Sequence, residues 1–208
     1  MSRHILAIEL LLLGLSGCAN AETSSQPTAD YSLRPAFDEH KAACSDFKTR
    51  EEAASHVAAA GWQKVADVAK SQMGAAIART DEFGATMKKR PGGNYEPTLL
   101  YQKKVAGREM FITVTQSGLL GKRMIGCRLF DLSQSLSVVQ VEAEKLVGRP
   151  VSQVQSVQGI RVLLWLPGLA EPQPNFEIWQ IPPGSPAAIE QKFDGLMLRA
   201  DFIGEANK

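Results

Sequence analysis

The residues best suited to bind a metal ion lie close together near position 40. His40 and Cys44 are four residues apart, so a helix would place an imidazole and a sulfur on one face, with Asp38 and Asp46 nearby. Such a pair can chelate a metal if the thiol is free. The alternative is a surface histidine beside a disulfide-bonded cysteine, and a bonded cysteine cannot act as a thiolate ligand. We predict this second arrangement, and therefore no metal site and no cofactor.

The first hydrophobic run of the chain ends in Leu15-Ser16-Gly17-Cys18. The run is too short to span a bilayer as a mature helix, and with this tetrapeptide it resembles the signal peptide and lipobox of bacterial lipoprotein precursors. The resemblance implies cleavage before Cys18, acylation of Cys18, and a protein lipid-anchored in the cell envelope, facing the periplasm or the cell exterior. Cleavage after Ala21 is the alternative, and it would give a soluble periplasmic or secreted protein.

Cys44 and Cys127 are the cysteines that remain after Cys18. In an exported protein, one even pair without Cys-x-x-Cys spacing is typical of a disulfide, and two separate buried thiols are the alternative. Joining residues 83 positions apart would stabilise the fold by about 4 to 5 kcal/mol in the chain-entropy model. We predict the disulfide Cys44–Cys127.

The sequence contains few residues of the kinds that enzymes use. After the leader it has only His40 and His56, too few for a three-histidine metal site, and it lacks the serine-hydrolase elbow, the phosphate-binding loops and the zinc-protease helix motif. Asp81 and Glu82 could act as acid and base only in a cleft that perturbs their pKa values, and are otherwise surface charges. We predict no catalytic residue.

Two segments are candidates for contact with a partner. A basic, glycine-rich loop carries Lys88, Lys89, Arg90 and Tyr95, and could contact phospholipid headgroups or another anionic polymer of the envelope; a solvated connection is the alternative. An apolar strand carries Trp165, and a second predicted strand, expected to lie beside it, carries Trp179. These tryptophans would mark an interface if they were exposed, and otherwise belong to the core.

Length and composition fit one domain. The chain has 208 residues, 44% of them hydrophobic, and a formal net charge of +1, without the basic excess of a nucleic-acid-binding protein. We divide it into a signal peptide (1–17), a flexible tether (18–35) and a single globular domain (36–208).

Periodicity and capping signals predict the elements of this domain. Helices are expected over 37–47, over 50–60 with a Thr49–Glu52 capping box, over 65–79, from Ser135 or Leu136 to Val147, and after Ser185. Trp62 to Val65 could instead pair as a short strand. Strands are expected over 98–105, 108–116, 122–130, 160–166, 176–181 and 196–202.

This order of elements predicts an α+β fold. We expect one mostly antiparallel sheet of about five to six strands, with the N-terminal and crossover helices packed on one face, because strict βαβ alternation is missing. Alternation in the third strand turns Cys127 inward and Arg128 to the other face. A bond from Cys127 to Cys44 would then clamp the first helix to the sheet.

These features favour an exported, lipid-anchored protein of the cell envelope with a non-catalytic binding or structural role. We expect it to contact the membrane through its anchor, and an envelope protein could be a further partner. Two alternatives stay open. An inhibitor or immunity-type protein, bound to a secreted toxin or hydrolase, would expose a rigid patch of the Trp165, Trp179 and Tyr95 type. An envelope hydrolase with an acidic site would gather carboxylates in one pocket.

Overall fold

The computed structural model describes residues 32–133 and 138–205. Cys18, the predicted signal peptide and most of the predicted tether lie outside the described residues. Within them, the helices are α1 (Arg34–Cys44), α2 (Arg50–Ala59), α3 (Gly74–Lys88), α4 (Gln140–Val147) and α5 (Pro186–Gln191), with a short 3-10 helix at Val68–Lys70. The strands are β1 (Gln63–Lys64), β2 (Asn94–Val105), β3 (Arg108–Leu119), β4 (Lys122–Asp131), β5 (Gln153–Val157), β6 (Ile160–Trp165), β7 (Phe176–Ile181) and β8 (Gly195–Glu205).

The strands form one antiparallel sheet in the order β1-β2-β3-β4-β8-β7-β6-β5. The last strand, β8, is inserted between β4 and β7, and it joins an N-terminal meander to a C-terminal one. The predicted α+β class with one antiparallel sheet is confirmed. The predicted number of strands is wrong, because the sheet has eight strands rather than five or six. The two additional strands are the short edge strands β1 and β5.

Three tight turns set the register of the meanders. Ala106-Gly107, Leu120-Gly121 and Gln158-Gly159 each have positive φ at both central residues. This is the conformation of two-residue hairpin turns whose twist matches that of the flanking strands. The third turn pairs Val154 of β5 with Leu163 of β6, and these two paired residues face the same side of the sheet.

The two faces of the sheet are both covered, whereas we predicted helices on one face only. The disulfide face, which carries Ile112, Cys127 and Leu198, packs against α1, α2 and α4. The cavity face, which carries Phe111, Arg128 and Met197, is covered by α3 towards β2 and β3 and by α5 towards β6. Polar residues such as Thr113 and Arg128 on this second face alternate with apolar ones, which is the pattern of a strand with one side in solvent. This pattern explains why we predicted helices on one face only.

The disulfide face holds the larger core. Cys44 at the end of α1 is bonded to Cys127 in the middle of β4, with a Cα–Cα distance of 5.5 Å, and both residues are fully buried. Phe37 of α1 makes an edge-to-face contact with Phe176 of β7 at 5.9 Å between ring centroids. The predicted clamp between the first helix and the sheet is confirmed.

Helix ends follow local capping with some displacement. The Thr49–Glu52 capping box of α2 and the Ser185 cap of α5 are confirmed. Helix α1 ends at Cys44 rather than at residue 47, because the chain turns through Asp46, which has positive φ. The helix predicted over 65–79 is divided into the 3-10 helix and α3, and β1 takes the strand alternative. Helix α4 starts at Gln140; the predicted start lies at residues 134–137, outside the described residues.

Candidate ligand-binding cavity

A cavity of about 310 Å³ lies between the cavity face of the sheet and the helices α3 and α5. Its floor is formed by side chains of β3, β4, β7 and β8, including Thr113, Arg128, Met197 and Trp179. Its volume is at the lower end of the range found for small-molecule sites, about 300 to 1,000 Å³. Concave sites of this kind, apolar with a few placed polar groups, are the usual place for ligand binding in a domain.

The walls of the cavity are mostly flexible or aromatic apolar side chains. Four of the six methionines of the chain line it: Met73, Met87, Met124 and Met197. Phe83, Phe130, Phe193 and Trp179 contribute rings. Methionine side chains are unbranched and polarizable, so a wall rich in them adapts to the shape of an apolar ligand.

A row of charged residues crosses the floor. Arg128 of β4 lies opposite Arg199 of β8, and Arg199 lies opposite Glu177 of β7, because the three strands are in register here. Asp201, two residues along β8, lies on the same face and is 2% exposed. Its Oδ2 accepts a hydrogen bond from Arg199 Nε at 2.7 Å.

The charges of this row compensate each other unequally. Burial alone would lower the pKa of Arg199, but the nearby carboxylates of Asp201 and Glu177 outweigh that effect and raise it. Burial also lowers the pKa of Arg128. The contact of Arg128 with Asp201 is longer than that of Arg199, and it does not outweigh the effect of burial. Arg128 is therefore the less well compensated of the two cations.

A β-bulge positions a second polar group on the cavity wall. The register of β2 against β3 shifts between Glu96 and Leu99, and this turns Thr98 towards Asp81 of α3. Asp81 accepts hydrogen bonds from the backbone N–H of Thr98 at 3.1 Å, from its hydroxyl at 2.8 Å, and from the Tyr95 hydroxyl. Burial, and then the bond to Asp81, raise the pKa of Tyr95 to about 12. Tyr95 is thus a neutral donor rather than a base.

The carboxylate and imidazole side chains near the cavity are engaged or lie elsewhere. Glu177 of the charged row accepts hydrogen bonds from Trp179 Nε1 and Asn175 and pairs with Arg199, so its oxygens are engaged. Neither His40 nor His56, the two histidines among the described residues, lines the cavity.

Comparison with protein-family models, with curated proteins and with solved structures finds no match.

A second concave region of about 380 Å³ adjoins the cavity on the side of β5 and β6. It shares Trp179, Gln191 and Arg199 with the first. Leu164 and Val162 continue its floor on the same face of the sheet. The shared residues make the two regions neighbours, and we refer to the two together as the groove.

The residues predicted to contact a partner are placed differently from one another. Tyr95 and Trp179 are half-buried and line the cavity. Trp165 has no exposed surface, lies in the core of the disulfide face and donates from its indole Nε1 to the Arg149 carbonyl at 3.2 Å. The three side chains therefore do not form one exposed patch. Lys88, Lys89 and Arg90 are exposed at the end of α3, directly after Met87 of the cavity wall.

Sequence reasoning missed most of the charged row. Arg128 was noted only as a residue of the outer face, and Glu177, Arg199 and Asp201 were not identified. The available signal was the presence of charged residues in the middle of long apolar strands, as in the segment 196–202, where Arg199 and Asp201 interrupt an apolar run. Such residues need buried partners when both faces of a sheet are covered.

His40 is buried rather than exposed, which corrects our prediction of a surface histidine. Its ring lies 5.3 Å from that of Phe176, and neither ring nitrogen makes a hydrogen bond of normal geometry. Because Cys44 is in the disulfide, His40 has no thiolate beside it. The described residues contain no group of three or more histidine, cysteine or acidic side chains arranged to hold a metal ion.

None of the described helices has both the length and the apolar character needed to cross a bilayer.

Burial of His40 predicts loss of stability in acid. Burial lowers the pKa of His40 from 6.5 to about 3, with a smaller opposing effect of the Cys127 backbone. Between pH 6.5 and pH 3 the proton binds to His40 of the unfolded chain and not to that of the folded protein. The free energy of unfolding therefore falls as the pH drops below 6.5, and at pH 5 it is lower by about 2 kcal/mol. His40→Leu should remove this contribution. The measurement is urea unfolding of both proteins at pH 8 and pH 5; parallel losses in the two would contradict the assignment.

Proposed function

We propose that this protein is a non-catalytic binding protein of the cell envelope, anchored through Cys18, that holds a small molecule with an alkyl chain in the cavity. The observation that carries the proposal is the cavity itself, a volume of about 310 Å³ with four methionines and several aromatic rings on its walls. Binding is favoured over hydrolysis because the nearby carboxylates are engaged by arginine, indole and amide donors.

The apolar walls can supply enough free energy for useful affinity. Burial of a CH₂ group contributes about 0.8 kcal/mol, so the chain of dodecanol would contribute about 9 kcal/mol if it were fully buried. If lost translational and rotational freedom costs about 4 kcal/mol, the low end of the usual range, about 5 kcal/mol remains, which corresponds to a dissociation constant of about 0.2 mM. The groove past Trp179 accommodates the part of the chain that exceeds the cavity.

Trp179 provides a direct readout of binding. Of the three tryptophans, Trp62 and Trp165 are buried in the core of the disulfide face, and only Trp179 lines the cavity. Titration with dodecanol is therefore expected to change the tryptophan emission of the wild type and not that of Trp179→Phe. Calorimetry should detect binding to both proteins, which separates loss of the signal from loss of the site.

A larger side chain on the floor should abolish binding. Thr113 is 3% exposed and lines the cavity, so Thr113→Phe would fill part of the volume. Ser156→Phe on the exposed strand β5 adds the same bulk outside the cavity and is the control. Binding lost in Thr113→Phe and retained in Ser156→Phe is expected. Failure of the folded wild type to bind any alkyl compound would contradict the proposal.

The envelope location is supported by the lipobox and by the surface at one end of α3. Lys88, Lys89 and Arg90 are exposed there, and this loop approaches the β3–β4 turn, whose Leu120 is 82% exposed. A basic surface with an apolar tip suits contact with anionic headgroups. The intact mass of the protein extracted from membranes tests the anchor: acyl mass on Cys18 is expected, and a mature chain that starts after Ala21 would contradict it.

A further inference from the structure

Arg128 lies on the cavity floor in close contact with the neighbouring strands. A Cβ atom at Gly126 would lie 2.7 Å from both terminal nitrogens of Arg128, so the guanidinium lies close over the backbone of Gly126. Arg128 Nη1 donates to the Thr115 hydroxyl at 2.7 Å. Its side chain is 18% exposed and lines the cavity. The sheet thus holds a fixed guanidinium at the boundary between the apolar walls and the charged row.

The nearby carboxylates are engaged mainly by Arg199 rather than by Arg128. Asp201 Oδ2 lies 2.5 Å from Nη2 and 2.7 Å from Nε of Arg199, whereas Asp201 Oδ1 is 3.5 Å from Arg128 Nη2. Glu177 faces Arg199 at 3.5 Å and also accepts from Trp179 and Asn175. Of the five N–H groups of a guanidinium, contacts of Arg128 with described residues use two. Arg128 can therefore donate to a ligand.

Other charged groups near the cavity leave this position favourable for an anion. Asp81 is an acidic residue of α3 near the cavity wall, and its Oδ1 accepts three hydrogen bonds from Tyr95 and Thr98. The desolvation that lowers the pKa of Arg128 would be offset by an anion placed beside it. Tyr95 and Thr98 also line the cavity and present polar atoms on the same side.

We propose that Arg128 binds the anionic head group of a single-chain amphiphile whose alkyl chain lies among the methionines and aromatic rings of the cavity. This inference rests on the proposed function and names the class of its ligand. A carboxylate accepts two parallel N–H bonds from a guanidinium, and a phosphate does the same, so a free fatty acid and a single-chain phospholipid share the recognised chemistry.

The wild type alone can test the head group. Dodecanoate, dodecanol and dodecyltrimethylammonium have nearly equal alkyl chains and differ in charge, and each is titrated calorimetrically at pH 7.5 below the concentration at which it forms micelles or separates from water. We expect dodecanoate to bind at least about tenfold more tightly than dodecanol, which corresponds to about 1.4 kcal/mol, and the cation to bind most weakly. A single-chain lysophosphatidic acid is the fourth arm. Tighter binding of this phosphate than of dodecanoate would indicate the phospholipid as the source, and the reverse order the fatty acid.

Variants assign the preference to Arg128. Arg128→Met removes the charge and leaves Asp201 paired with Arg199, so the roughly tenfold preference for dodecanoate should disappear while dodecanol binding is kept. Arg161→Met, which removes a half-buried arginine on the disulfide face, is the control and should keep the preference.

The two proposals fail in distinguishable ways. Equal binding of all head groups by the wild type would overturn the role of Arg128 and leave the alkyl site standing. A preference for dodecanoate that survives Arg128→Met would also overturn it. Absence of binding for every compound would overturn the proposed function as well.

Discussion

Replacing Cys44 and Cys127 together by alanine is expected to lower the free energy of unfolding by about 4.5 kcal/mol. The bond joins the end of α1 to the central strand β4 across 83 residues, so its removal frees a long loop in the unfolded chain. Both cysteines are fully buried, and alanine leaves no unpaired polar atom in their place. A loss of this size is a large part of the total stability of an ordinary domain, about 5 to 15 kcal/mol.

Urea unfolding at pH 7.5 measures this effect. The double variant and the wild type are compared in a background that carries Cys18→Ala, so that neither protein contains an unrelated thiol or acyl group. The wild type under reducing conditions should resemble the double variant. A difference below about 1 kcal/mol between oxidised wild type and double variant would show that α1 is held to the sheet by packing alone, contrary to the loop-closure argument.

The second large effect is expected at Asp201. Asn in place of this carboxylate should lower the free energy of unfolding by about 3 kcal/mol, because removing one partner of a buried ion pair leaves the other charge uncompensated. Asp201 is 2% exposed, and its Oδ2 lies 2.7 Å from Arg199 Nε. Arg128 would lose its nearest counterion in the same substitution. Two guanidinium groups would then remain under the helices without a carboxylate between them.

Glu205→Gln is a matched control for this prediction. Glu205 belongs to the same strand and pairs with Lys122, but the two side chains are 77% and 59% exposed. An ion pair in that setting contributes less than about 1 kcal/mol, because water screens it. Thermal or urea unfolding of the two variants should therefore differ severalfold. Similar small losses in both would mean that the row on the cavity floor is hydrated in solution and does not behave as a buried network.

The sequence was sufficient for most of the elements and for the covalent clamp. Alternation along β3 and β4 gave the correct face for Ile125, Cys127 and Leu129, because the central part of this face is apolar in both strands. The cysteine count gave the disulfide, since Cys44 and Cys127 are the two cysteines that follow Cys18. Capping residues such as Thr49 and Ser185 marked helix starts correctly because their hydrogen bonds are local in sequence.

The cavity could not be predicted because it depends on contacts distant in sequence. Helix α3 covers the second face of the sheet, where Met73 and Ile77 pack near Phe111, Phe130 and Met197. Nothing local distinguishes a polar residue such as Arg128 on a solvent face from one beneath a helix. Strand β5 was missed for a different reason: all five of its residues are exposed, so no buried pattern marks it.

Methyl NMR of the methionines tests the central claim, that the cavity binds an alkyl chain, most directly. Met73, Met87, Met124 and Met197 line the cavity, whereas Met110 lies in the core of the disulfide face with no exposed surface. In protein labelled with ¹³C at the methionine methyl groups, saturation with dodecanoate should shift the first four resonances and leave that of Met110 in place. Shifts confined to Met110, or no shift at ligand concentrations up to several millimolar, would contradict the account.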